Sequence, residues 1–296
     1  MNRSELFLLA LLVILFPLDT ALWAHVPQVG GQSKITVEDP SVSRVFYRRI
    51  ESGDSHVYRL EFTEAQTMIL GLNSPNPTPD PPSAHVDGVS GSSLISGSTK
   101  EPEYEPFAPD VYYPVGRIER TVPAGTYTIR VTGKGPYALV VGEAEEFTVL
   151  EWIWTAVEVP RTRLWAGRGW ILLPGLLPLL TVCWWLRGRT SLTWSQWLTR
   201  LSGAFCIGTA LTILTALGWS VRLVNPGAKA FVAIALFFFQ AGAGAMLIRQ
   251  SRSSRNGMRR KLVTVGLSLF ALSTWAGAVI GPALGLSSVM LPSRNS

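Results

Sequence analysis

The chain runs out of carboxylates at Glu158. All twenty Asp and Glu of its 296 residues lie at or before that position, whereas thirteen Lys and Arg follow between Trp165 and Ser296. A water-facing surface mixes both signs, so an acid-free stretch of this length excludes an ordinary soluble domain. It also excludes the intramembrane Asp, Glu or His relays of proton pumps and ion-coupled transporters. The three histidines, His25, His56 and His85, all precede it as well.

Cysteine is nearly absent. Cys183 and Cys206 are the only two, and both sit in apolar runs. A thiol pair is conceivable there, but two small buried side chains are the plainer reading. The N-terminal half has no cysteine and must fold without disulfides, for which about 125 residues suffice. H-E-x-x-H, C-x-x-C, G-x-S-x-G and phosphate-cradling glycine loops are missing too. These absences argue against an enzyme.

What is present divides the chain in two. From His25 to Leu164, 18 acids and 12 cations give a net charge of −6, and from Trp165 onward the net is +13. Such cations would suggest nucleic acid if they lay on a folded soluble face. Here they occupy short loops between apolar runs, the bias that orients membrane proteins, and nucleic acid is not an expected partner.

Residues 1–24 read as a signal peptide: Arg3 leads, Leu6 to Leu18 is apolar, and Ala21, Leu22 and Ala24 offer a cleavage site before His25. Four apolar segments lie in 169–286, at Gly169–Leu186, Leu201–Trp219, Ala230–Ile248 and Leu262–Leu286. Each approaches the ~20 residues that cross a bilayer. Nine cations flank the first and third connections, among them Arg187, Arg189, Arg200 and the run Arg249 to Lys261, against Arg222, Lys229 and Arg294 elsewhere. The charge bias therefore predicts a four-helix transmembrane bundle in the cytoplasmic membrane, with the 25–150 domain outside. Residues 151–168 form a juxtamembrane segment and 287–296 a short tail. The cationic run makes membrane lipid an expected partner. Gly277, Gly281 and Gly285 form a small-residue ridge suited either to packing within the bundle or to self-association.

After His25, short period-two runs are punctuated by Gly and Pro. Ser33–Val37, Arg44–Ile50, Val57–Phe62, Thr67–Leu72, Gly116–Val122, Thr126–Thr132 and Tyr137–Gly142 read as strands. Seven such strands without a convincing helix predict an all-β antiparallel sandwich. Between Leu72 and Tyr112 a proline-rich and then Gly/Ser-rich stretch reads as one long loop, the expected contact surface for a protein partner.

The same half carries Glu38-Asp39-Pro40 followed by Val45-Phe46-Tyr47, then Glu105-Pro106-Phe107 followed by Tyr112-Tyr113. Pro123-Ala124-Gly125-Thr126-Tyr127, Val140-Val141-Gly142-Glu143 and Phe147-Thr148-Val149-Leu150-Glu151-Trp152 come after them. Over His25 to Trp152 these residues resemble a family of exported domains of prokaryotes and fungi, similar in fold to prepeptidase C-terminal and related jelly-roll modules. The resemblance implies a surface binding or accessory module rather than a reaction. The chain is shorter between Leu72 and Tyr104 than that family.

One chemical alternative stands beside binding. Cleavage after Ala24 would leave His25 with a free α-amine, and amine plus imidazole chelate copper(II). His56 or His85 would supply the further ligand of an extracytoplasmic copper-binding or delivery site. No other cofactor is implied.

Overall fold

The computed structural model describes residues 26–37, 39–89, 91–106, 108–142, 149–186, 193–252, 257–273 and 280–290. His25, Gly277 and the signal-like segment lie outside these residues.

All seven expected strands are found, with bounds that differ by a few residues. They are β2 (Lys34–Val37), β3 (Arg44–Ile50), β4 (Ser55–Phe62), β5 (Gln66–Ser74), β9 (Asp110–Val122), β10 (Gly125–Thr132) and β11 (Gly135–Val141). Period-two patterning is what makes them legible: in β10, Tyr127, Ile129 and Val131 are buried while Arg130 is exposed. Four more strands join them, β1 (Val26–Val29), β6 (Ser83–Gly88), β7 (Gly91–Ile95) and β8 (Glu103–Glu105). The expected long loop therefore contains three strands. Its prolines lie outside those strands, Pro75 to Pro82 before β6 and Pro102, Pro106 and Pro109 after β7. The Gly/Ser run pairs as an edge strand with only Ile95 buried.

One sheet has the order β1-β3-β11-β5-β9-β8 and the other β2-β4-β10-β6-β7. Their facing sides share one core, with Phe46, Leu70, Leu72 and Leu139 from the first and Tyr58, Leu60, Val86 and Ile129 from the second. Purely antiparallel pairing is not what forms. β1 runs parallel to β3, and β2 runs parallel to β4. The cause is the bend at Gly30 and Gly31, whose φ values of 76° and 112° favour glycine. This bend carries the chain from the first sheet to the second instead of closing a hairpin. When the chain crosses twice more, β3 and β4 return beside β1 and β2 in the same direction.

Six helices follow: α1 (Val149–Trp165), α2 (Leu173–Leu186), α3 (Trp194–Ser220), α4 (Ala230–Ser251), α5 (Gly257–Ser273) and α6 (Ile280–Met290). The segment expected as juxtamembrane is thus helix α1 and the turn after it. Thr193 caps α3 and exchanges hydrogen bonds with Gln196, satisfying amides that a helix start leaves open. Trp194–Ser220 and Gly227–Ser251 are long and apolar enough to cross a membrane. The first apolar segment yields a shorter helix, α2, and the fourth is divided between α5 and α6 on either side of 274–279, which are not described.

Small residues set the helix spacing. A Cβ on Gly203 would stand 2.6 Å from the carbonyl oxygen of Gly244, and one on Gly244 would stand 2.6 Å from that of Gly203. Gly281 and Gly285 are buried against α3 and α5 of the same chain, beside Ser202 and Ser268. Their part of the ridge serves packing inside the chain. Gln240 donates across helices to Ala271 O at 3.0 Å. Cys206 is buried but Cys183 is exposed, so the two do not form a buried pair.

Candidate binding cavity

Helix α1 lies over the outer side of the six-stranded sheet, and its composition is inverted. Thr155, Glu158, Thr162 and Arg163 are buried, whereas Trp154, Val157 and Leu164 are 56%, 41% and 62% exposed. Glu158 and Arg163 turn inward to partners on the sheet, while Thr155 and Thr162 donate to carbonyls of their own helix, Glu151 O and Val159 O, both at 2.8 Å. Glu158 accepts a hydrogen bond from Val29 N at 3.1 Å and pairs with Arg161, whose Nη2 donates to Val29 O at 3.3 Å. Trp165 Nε1 donates to Arg48 O at 2.7 Å, and its ring meets Tyr47 edge-on at 5.0 Å. These contacts hold the helix to the open edge of β1 and β3.

Between helix and sheet is a cavity of about 180 Å³. Its floor is Val45 and Tyr47 of β3, Asn73 of β5, Tyr112 of β9 and Ala138 and Val140 of β11. Thr155, Val159 and Thr162 form the roof, and Glu103, Tyr104 and Glu105 of β8 close one side. Tyr47 and Tyr112 are hydrogen-bonded to each other. Burial pushes both phenols well above the usual range, and Asp110 acts in the same direction. Burial, with Glu105, also pushes Tyr104 up to about 12. All three hydroxyls are therefore neutral at physiological pH and able to donate. The Tyr104 hydroxyl is buried and meets no partner among the described residues. Hydroxyls, an amide and two carboxylates in an apolar frame suit a small polar ligand group better than an extended apolar one.

Beside the cavity a buried charge cluster joins the β-rich part to the helices. Asp110, 1% exposed, is ion-paired with Arg163 Nη1 at 2.9 Å through one oxygen and with Arg168 through the other. Arg168 also donates to Val111 O at 2.8 Å and to Pro75 O. Next to it Tyr104, Val111 and Tyr113 pack on Ile213 and Leu217 of α3 and Ala233 of α4.

The histidines fall elsewhere. His56 stands opposite Val131, and His85 opposite Arg130. Val131 and Arg130 are consecutive in β10 and face opposite sides of the sheet, so His56 and His85 do as well. They cannot meet at one metal ion. His56 Nδ1 is 2.6 Å from the Tyr137 hydroxyl, while His85 is half exposed with Nε2 at 3.0 Å from Asp87. No group of three His, Cys, Asp or Glu able to hold a metal occurs among the described residues. Asn73, Glu103, Tyr104, Glu105 and Ala108 of the cavity fall in the 72–112 stretch that the sequence offers as a contact surface, whereas Val45, Tyr47, Ala138, Val140 and the α1 residues carry no such signal. No family model matches the chain, and no curated protein does.

Proposed function

We propose that the chain is a multi-pass protein of the cytoplasmic membrane that displays its β-rich half outside, as a binding or accessory module of a cell-surface complex. In this reading the two sheets form a sandwich of the prepeptidase C-terminal-like kind, and α2, α3, α4 and the α5–α6 pair make four crossings. The seat of the β-rich half on the helices carries the proposal. Tyr104, Val111 and Tyr113 meet α3 and α4 at 213–233, around the short connection holding Arg222 and Lys229. That is the connection the charge bias assigns to the outside, and Arg200, Arg249 and Arg252 belong to the opposite helix ends. The cavity under α1 supports a binding role, because a ligand there would touch both the sheet and the helix leading into the membrane segments.

Single cysteines in a background with Cys183→Ser and Cys206→Ser test the arrangement. A cysteine replacing the exposed Val89 should react with an impermeant maleimide on intact cells, and one replacing Arg252 only after permeabilisation. The reverse pattern would overturn the topology. For the binding role, a photo-crosslinker replacing Leu94, 59% exposed on β7, should trap a discrete neighbour in living cells. Only monomeric chain after irradiation would count against it.

A further inference from the structure

Arg48 is a buried cation with no anion paired to it among the described residues. It is 6% exposed, and its Nε and Nη1 meet no acceptor among the described residues. Burying an uncompensated guanidinium is expensive, and proteins rarely keep one without a counter-charge. Its surroundings supply none. His56 and Tyr137 lie beside it, and Tyr137 is bonded to both His56 and Tyr58, at 2.6 and 2.8 Å. Burial and then the Arg48 charge hold His56 below its ordinary value, while Asp54, the smallest of the three influences, acts the other way.

An open cleft of about 460 Å³ borders this group, lined by Arg48, Arg49, His56, Arg161, Gly31 and Trp165 among others, with no carboxylate in its lining. Successive strand residues normally face opposite ways. Arg48 and Arg49 nonetheless share the cleft because β1 ends at Val29, opposite Tyr47, and leaves the β3 edge uncovered from Arg48 onward. Arg161 is already paired with Glu158. Neither Arg48 nor Arg49 forms an ion pair among the described residues. Among the described residues the cleft therefore holds two positive charges without an ion-pair partner.

Glycine at position 31 lets the backbone lie against the guanidinium. A Cβ there would lie 2.5 Å from Arg48 Nη1 and 2.8 Å from Nη2. The positive φ of Gly31 independently disfavours any side chain.

We propose that this cleft is a binding site for a phosphate monoester or inorganic phosphate, held by Arg48 and Arg49 at the open end of β3. Two guanidinium charges match the charge of about −1.5 to −2 that such a group carries at pH 7, and the planar guanidinium fork fits its oxygens. A carboxylate or a phosphodiester brings one charge and leaves half the cationic field unanswered. The group can come from solution, or from a phosphatidic acid headgroup, since the cleft adjoins the end of α1 where the chain turns toward its apolar helices.

The test titrates full-length protein in neutral detergent with inorganic phosphate and, separately, with short-chain phosphatidic acid, by calorimetry. Short-chain phosphatidylglycerol is the diester control. Saturable binding of at least one of the first two, with affinity reduced about tenfold or more in Arg48→Gln and in Arg49→Gln, is the expected result. Arg130→Gln, on an exposed strand face outside the cleft, should bind as wild type. Phosphate binding points to a soluble ligand, and binding of phosphatidic acid alone to the headgroup. Arg49 is exposed, so its variant remains informative if Arg48→Gln lowers the yield of folded protein. Absence of saturable binding, equal binding of the diester, or unchanged affinity in the Arg49→Gln protein would overturn the assignment.

Discussion

Asp110, the first residue of β9, is ion-paired with Arg168, just beyond the end of α1, with both side chains almost fully buried. Arg163 takes the other oxygen at 2.9 Å, so one carboxylate carries two guanidiniums. Asp110 belongs to the acid-bearing part of the chain, which ends at Glu158. The link between the β-rich half and the helices thus depends on a charge that the later portion cannot supply itself.

Replacing Asp110 by Asn keeps the shape and removes the charge, stranding two buried cations. We expect a loss of about 3–5 kcal/mol, the usual cost of breaking a buried pair from one side. Arg168→Met should cost less, because Arg163 still answers Asp110. Thermal unfolding of the full chain in detergent, followed by near-ultraviolet circular dichroism, gives the order. A loss below about 1 kcal/mol for Asp110→Asn would mean the cluster is not an anchor.

His56 makes stability depend on pH in a definite direction. Burial and Arg48 depress its folded value below the ordinary 6.5, so the unfolded chain takes up the proton first on acidification. The contribution is complete above about pH 6.5 and is lost as pH falls below it toward the folded value. The other groups facing the ring are Asp54, which opposes this, and the Tyr137 hydroxyl, which remains neutral. In His56→Asn the melting temperature should fall less steeply between pH 7 and 5 than in wild type. Parallel curves would exclude His56 as the source.

How much of this was legible in the sequence depended on which side of each element met water. β10 and β4 alternate between core and solvent, so the period-two pattern disclosed them. β7 buries only Ile95, and β1 is four residues with an internal proline, so neither carries a pattern to read. Helix α1 hid the site most thoroughly. Its inward side is Thr155, Glu158, Thr162 and Arg163 and its outward side Trp154, Val157 and Leu164, the reverse of an ordinary amphipathic helix. Parallel pairing was equally out of reach, since it follows from how often the chain crosses between sheets. The histidines were singled out for their chemistry, but strand parity, visible only once the register is known, separates His56 from His85.

The crossing of α3 and α4 distinguishes glycines that are needed from those that are not. Gly203 and Gly244 approach back to back, so a side chain on either must push the helices apart. Gly242, two residues away and so on a different side of α4, has nothing within 4 Å of a built Cβ. We expect Gly203→Val to cost about 1–3 kcal/mol through overpacking. Gly242→Ala should be neutral or gain up to about 1 kcal/mol by restricting the unfolded chain. Detergent-resistance assays rank them directly, and equal effects would refute the packing described.

Glu158 decides whether the cavity keeps its roof. Its carboxylate is 2% exposed and accepts from Val29 N while pairing with Arg161, whose own side chain is 47% exposed. The two partners should therefore differ in weight. Glu158→Ala removes a charge-assisted acceptor from a buried amide and should cost about 1.5–3 kcal/mol. Arg161→Ala removes a half-exposed cation and should cost less than about 1 kcal/mol. The Val29 amide would exchange with deuterium faster in Glu158→Ala, having lost its carboxylate acceptor, and Trp165 would loosen its contact with Tyr47. A quenching probe should then reach Trp165 more readily in Glu158→Ala than in Arg161→Ala. If both variants match wild type in exchange and quenching, α1 is held to the sheet by its apolar contacts alone.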